Sequence, residues 1–410
     1  MTFIEHSSNQ EDIEKIKKDG LPVLIFGAGI VGEALFCACR DAGIEVECFC
    51  DNNINKVGSL IFDVDVIHVQ ELRKRYDDAI FLISAADIKD VVYQLNGMEY
   101  SRWYPSGLLL RDIDLSLYQL SAPADFVEFA VSTCLLCHDS YLNSDKLFLR
   151  SIDIIITERC SLKCRDCSNL MQYYKRPQDC SIEEIAQSID AFCTLVDEVN
   201  EFRVIGGEPF MNREIHMVIK RLIDEPKVRK IVIYTNGTIA PREEHIEYLK
   251  NNKVLVLITD YGLLARKLNA VKKTLQNNNI AYYTMKVTGW TDCAGIMRHY
   301  RSPEQQREIF KSCCAKNLIT LSKGRLYRCP YAANAARLMV VPDYGGDYID
   351  IVRESNMGTD IYEMKERIRT FLLHKDFLES CDFCNGRPFS APEIEPAIQI
   401  DKPLDYERYS

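Results

Sequence analysis

Between residues 152 and 287, five short apolar runs at 152–156, 202–205, 231–234, 254–258 and 280–287 alternate with amphipathic stretches at 182–199, 213–223, 242–251 and 263–276. Apolar runs of this length read as buried strands, and the stretches between them as helices. Strand and helix in alternation give parallel βα units, so this part of the chain is of the α/β class. Chemistry in barrels of such units sits at the carboxyl ends of the strands. Those ends carry a cysteine-rich loop, Gly206-Gly207-Glu208-Pro209, Thr235-Asn236-Gly237, Asp260-Tyr261 and Lys286.

The loop holds Cys160, Cys164 and Cys167 at the spacing C-x3-C-x2-C. Three thiolates on a tight loop can hold three irons of a cubic iron–sulfur cluster, whereas such clusters normally take four. The fourth iron is then open to a small molecule or to a ligand from elsewhere. With 17 cysteines in 410 residues, chance would produce this spacing roughly 0.03 times.

The segment from Ile154 to Asn169 resembles the cluster loop of the radical S-adenosylmethionine enzymes. Val204-Ile205-Gly206-Gly207-Glu208-Pro209 is similar to that family's GGEP turn after the second strand. The resemblance implies a partial (β/α)6 TIM-like barrel. It implies a [4Fe–4S] cluster on Cys160, Cys164 and Cys167 whose open iron is chelated by S-adenosyl-L-methionine. It also implies that Gly206, Gly207, Glu208, Pro209 and Asn236 bind that cofactor, the glycines letting backbone approach its amino group. Asp260, Tyr261 and Lys286 are the strand-end candidates for acid–base work.

Further along, Cys313 and Cys314 precede a hairpin expected to turn at Lys323-Gly324 and to end at Cys329, and Cys381-x2-Cys384 follows. Four thiolates could close a zinc site or a second cluster. The arrangement resembles the twitch extension, the one-cluster relative of the SPASM domain. That resemblance implies an auxiliary [4Fe–4S] cluster on Cys329, Cys381, Cys384 and one of the adjacent pair, with Cys314 preferred as the nearer to the hairpin. Cys134-x2-Cys137-His138 matches a haem-attachment pattern but reads as buried thiols on a helix under the barrel, and the start of the chain lacks the features of a signal peptide. Cys37, Cys39, Cys48 and Cys50 read as core, and Cys180, Cys193 and Cys293 receive no role.

The N-terminal third opens on a strand that runs into Gly27-x-Gly29-x2-Gly32, followed by a helix, a strand and Asp51. In that order the glycines suit a phosphate at a helix start and the acid suits ribose hydroxyls. About 100 residues make a half-Rossmann fold. It resembles the small domains attached to sugar-modifying proteins, which implies a nucleotide or nucleotide-sugar ligand. The expected divisions are a Rossmann-like domain over 1–111, a helical connector over 112–150, the barrel over 151–300, an auxiliary cluster region over 301–392 and a loose tail over 393–410.

The net charge of −10 argues against a nucleic-acid or anionic-membrane partner. Many cysteines without a signal peptide fit metal use in a reducing cytoplasm. The expected function is hydrogen abstraction by a 5′-deoxyadenosyl radical, leading to oxidation or epimerisation of a carbohydrate or nucleotide-linked sugar, with reduced flavodoxin or ferredoxin as electron donor. Peptide modification is the rival enzymatic reading, and a non-catalytic metal-binding assembly factor the rival of another class.

Overall fold

The computed structural model describes residues 9–143, 146–388 and 391–409. The chain divides into two compact units, Met1–Phe148 and Leu149–Ser410.

In the first unit, β1 (Val23–Phe26), β2 (Cys48–Asp51), β3 (Leu60–Ile61), β4 (Val64–His68), β5 (Ile80–Ile83) and β6 (Trp103–Pro105) form a sheet in the order β3-β4-β2-β1-β5-β6. Its pairings β1–β2, β1–β5, β2–β4 and β5–β6 are parallel, and the β3–β4 hairpin is antiparallel. Five parallel strands exceed the three of a single mononucleotide half. The sequence reading undercounts because β6 has three residues and ends on a proline, and because β4 follows a hairpin whose Phe62 and Asp63 take positive φ.

The helix Ala124–Leu142 packs on this sheet, its Val127 and Val131 sharing a core with Ile25 and Leu35. His138 accepts the Ser106 N–H at 3.0 Å, and its other ring nitrogen lies 2.9 Å from the Ala85 carbonyl. The Cys-x2-Cys-His pattern is therefore a structural tie. It belongs to the first unit, not to the underside of the barrel.

In the second unit, β7 (Phe148–Ile155), β8 (Glu198–Ile205), β9 (Val228–Thr235), β10 (Val254–Asp260) and β11 (Tyr282–Lys286) match the five expected runs. β12 (Trp290–Thr291) lies outside their sheet, which β13 (Ile319–Ser322), β14 (Arg325–Tyr327) and β15 (Tyr348–Asp350) extend to the order β11-β10-β9-β8-β7-β13-β14-β15. The pairs β8–β9, β9–β10, β10–β11 and β7–β13 are parallel. The auxiliary hairpin thus continues the barrel sheet from its first strand. Lys323 and Gly324 both take positive φ, at 50° and 74°. That is the backbone of the two-residue turn expected there. Below the site, the buried Asp153 accepts Arg203 Nε at 2.5 Å.

The tail is not loose. β16 (Glu393–Ile394) pairs with β12, and the chain then crosses the cysteine loop. Arg165 N–H donates to the Ile398 carbonyl at 2.7 Å, and Ile400 N–H to the Lys163 carbonyl at 2.8 Å. Proline and acid composition conceals this because backbone groups, not side chains, make the attachment. Among the described residues no helix is long and apolar enough to cross a membrane.

Candidate active site

The cysteine loop leaves β7 and is braced from both sides. Gly207 N–H donates to the Thr157 carbonyl at 3.0 Å, and Glu208 N–H to the Arg159 carbonyl at 2.8 Å. A Cβ at Gly206 or at Gly207 would come within 2.3 Å of those same carbonyl oxygens. What demands glycine here is the close approach of this turn to the cluster loop. The Glu208 carboxylate also turns inward. It accepts Thr235 Oγ1 and Asn236 N–H, both at 2.8 Å, and the Phe210 N–H at 3.2 Å. Burial pushes its carboxyl up to about 7. These bonds fasten the end of β8 to the end of β9.

Two side-chain amides reach the thiols. Asn236 Nδ2 lies 3.6 Å from Cys160 Sγ, and Gln399 Nε2 lies 3.2 Å from Cys164 Sγ. N–H donors of this kind favour the thiolate that binds iron. Burial pushes all three thiols up, Cys164 to about 11, so they are neutral until a metal takes their protons. Asn236 was expected at the site. Gln399 was not, since no motif links it to a loop 235 residues earlier.

Tyr261 is the strand-end candidate that the structure brings to the thiols. Burial, and then the Cys164, Cys167 and Cys160 sulfurs, push its phenol up, and its ring meets Trp290 edge-on at 5.8 Å. Asp260 accepts the Gly262 N–H at 2.8 Å, capping the turn that follows β10. Lys286 is exposed on the edge strand β11.

A second group of thiols lines a cavity of about 50 Å³: Cys313, Cys329, Cys381, Cys384 and, unforeseen, Cys293. Cys313 lines it, whereas Cys314, the preferred member of the pair, does not. Cys313 follows the helix Pro303–Ser312 in an extended conformation, where neighbouring side chains point opposite ways. Nearness to the hairpin in sequence says nothing about that direction. Ser168, which follows Cys167, also lines the cavity. So do three residues bearing buried donors that have no partner among the described residues, Tyr331 Oη, Ser380 Oγ and Arg387 Nε. An anionic iron–sulfur group, with sulfides and thiolates to accept them, suits this cavity. Among the described residues no three acid, thiol or imidazole groups converge as the ligands of one ion would.

In the first unit, two glycines of the Gly-rich turn serve internal packing. A Cβ at Gly27 would meet Ser84 Oγ at 2.5 Å, and one at Gly32 the Gly27 carbonyl at 2.2 Å. Gly29 opens toward Lys56, whose Nζ would be 3.8 Å away. Asp51 already accepts Ala28 N–H at 2.9 Å, Asn53 N–H at 2.8 Å and Lys56 Nζ at 3.0 Å. The acid expected to hold ribose is occupied by the chain's own donors.

The family model described as the radical SAM superfamily matches residues 154–260, a span that contains the cysteine loop and the Gly-Gly-Glu-Pro turn. The GTP 3′,8-cyclase of Clostridium acetobutylicum is 33% identical over 284 residues, covering 63% of this chain and 85% of its own length. That of Stenotrophomonas maltophilia strain R551-3 is 34% identical over 88 residues, 21% of this chain. The chain spans about a quarter (26%) of that relative's length. Among solved structures, BtrN in complex with AdoMet and 2-DOIA is 16% identical, covering 59% of this chain and 94% of that one, with a TM-score of 0.40. The chain belongs to the radical SAM superfamily, whose cofactors are a [4Fe–4S] cluster and S-adenosylmethionine.

Proposed function

We propose that the chain abstracts hydrogen from a carbohydrate or nucleotide-linked sugar and that the outcome is oxidation. When bound, the cluster with S-adenosylmethionine supplies a 5′-deoxyadenosyl radical, and an auxiliary cluster supplies an electron acceptor. The observation that carries oxidation over epimerisation is the second thiol cavity with its three unpartnered donors.

Around this chemistry the chain's own groups have separate tasks. Asn236 and Gln399 donate toward Cys160 and Cys164, so that iron binds both as thiolates. Tyr261 and Trp290 wall the space beside the thiols against water. Asp260, partly buried at the end of β10, takes the proton that a two-electron oxidation releases. In the first unit, taken by itself, Gly29 and Lys56 offer a place for a phosphate. Reduced flavodoxin or ferredoxin is the proposed electron donor.

The relatives named GTP 3′,8-cyclase favour a second reading, ring closure within a nucleotide. Anaerobically reconstituted protein with deuterated nucleotide sugars and deuterated GTP separates the two. Deuterium passing from a sugar into 5′-deoxyadenosine, with an oxidised sugar as product, supports oxidation. Transfer from GTP alone, with a cyclised product, supports the second reading. Bound zinc with no cleavage of S-adenosylmethionine would sink both.

A further inference from the structure

The auxiliary cavity holds more thiols than a cluster has irons to bind. Five cysteines line it, and a cubic cluster takes four. Three of the five are prepared by backbone donors. Cys313 Sγ accepts the Ala315 N–H at 3.4 Å, Cys329 Sγ the Ala332 N–H at 3.5 Å, and Cys384 Sγ the Gly386 N–H at 3.2 Å. Among the described residues no group donates to Cys293.

Cys293 is nevertheless fastened to this place. On one side, Asp292 accepts Asn385 Nδ2 at 3.2 Å. On the other, Gly295 lies so close to Asn385 that a Cβ would meet its Oδ1 at 2.7 Å. Arg301 then donates to the carbonyls of Cys381 and Cys384 at 2.7 and 2.8 Å. The segment carrying Cys293 is laced to the Cys-x2-Cys knuckle along its length, and Cys293 is buried at 6% exposure. Cys293, Cys313, Cys384 and Arg387 all line the same cavity.

We propose that Cys293 is a fifth thiol of the auxiliary site, placed to take the iron that Cys313 holds. The exchange balances without a redox partner. The Fe–S bond to Cys313 breaks as the bond to Cys293 forms, the Cys293 proton passes to the released thiolate, and no electron moves. The proposal rests on the reading of the cavity as a cluster site. Its consequence is a cluster that can change one protein ligand without losing iron.

Iron counts on the anaerobically reconstituted full chain test it. Cys293→Ala and Cys313→Ala should each keep about eight irons, two cubic clusters, while the double variant falls to about four. Cys384→Ala alone should also fall to about four. The reduced auxiliary signals of the two single variants should differ from each other in electron paramagnetic resonance. In every variant, S-adenosylmethionine should still shift the signal of the first cluster, which shows that the fold survives. Either single variant dropping to about four irons overturns the proposal, as does a double variant that keeps about eight. Wild-type protein with only about four irons overturns the auxiliary cluster itself, and this proposal with it.

Discussion

The two thiol sites of the second unit are built in opposite ways. The first draws three cysteines from eight consecutive residues, 160–167, on a loop braced by the ends of β7, β8 and β9. The second gathers cysteines from segments that begin at 293 and end at 384, and its cavity keeps three donors unpartnered. At the first site the barrel positions the ligands in advance. At the second, the cluster itself completes the hydrogen bonding. A site of the first kind tolerates loss of its neighbours better than loss of a ligand, and a site of the second kind loses its organisation with its metal.

Four substitutions sharpen or break that contrast. Cys164→Ala should lower 5′-deoxyadenosine formation by more than the about 100-fold that loss of an outer-shell partner costs. Retained cleavage in a chromatographic assay would remove the first site from the account. Cys384→Ala should lose about half of the iron, one cubic cluster of two, while still forming some 5′-deoxyadenosine and no oxidised product. Equal loss of cleavage in both variants would mean that the second set of thiols supports the fold.

Asp153→Asn tests the barrel beneath the first site. It removes the nearer of the two carboxylates that face the buried Arg203, leaving Glu201 at 3.9 Å, and should cost up to about 3 kcal/mol in denaturant unfolding. Burial pushes the Asp153 carboxyl up to about 6 from an ordinary 3.8. Because burial raises the folded value, folding is favoured with this carboxyl protonated: that contribution is full below about pH 4 and is lost as pH rises through 6, where the ion pair with Arg203 offsets only part of the cost of ionisation. The variant should lack that slope, and an unchanged pH dependence would contradict the assignment. Gln399→Ala should have the smallest effect. Loss of one hydrogen bond to a cluster sulfur is worth roughly 1 kcal/mol, or about 40 mV for one electron. The potential of the first cluster should fall by that amount in a redox titration, with the second unchanged.

The contrast also explains what could be read from the chain. The first site is contiguous, and its strands are apolar runs, so Cys160, Cys164, Cys167, Asn236 and the five parallel strands were legible. The Gly206-Gly207 turn was legible as a turn, but its reason was not, because the carbonyls that exclude a Cβ belong to Thr157 and Arg159. The second site depends on side-chain direction and on tertiary lacing. Choosing Cys314 over Cys313 needed the direction in which each side chain points after the helix ends, and Cys293 looked isolated because its anchors lie at 381–385. Gln399 was hidden for the same reason, in a segment whose composition suggested a loose tail.

At the first site, three thiolates are proposed to leave one iron for S-adenosylmethionine. Electron paramagnetic resonance of the reduced, anaerobically prepared Cys293→Ala/Cys313→Ala chain isolates that cluster. The account predicts a clear change in its signal when S-adenosylmethionine is added. A signal identical with and without S-adenosylmethionine would contradict it.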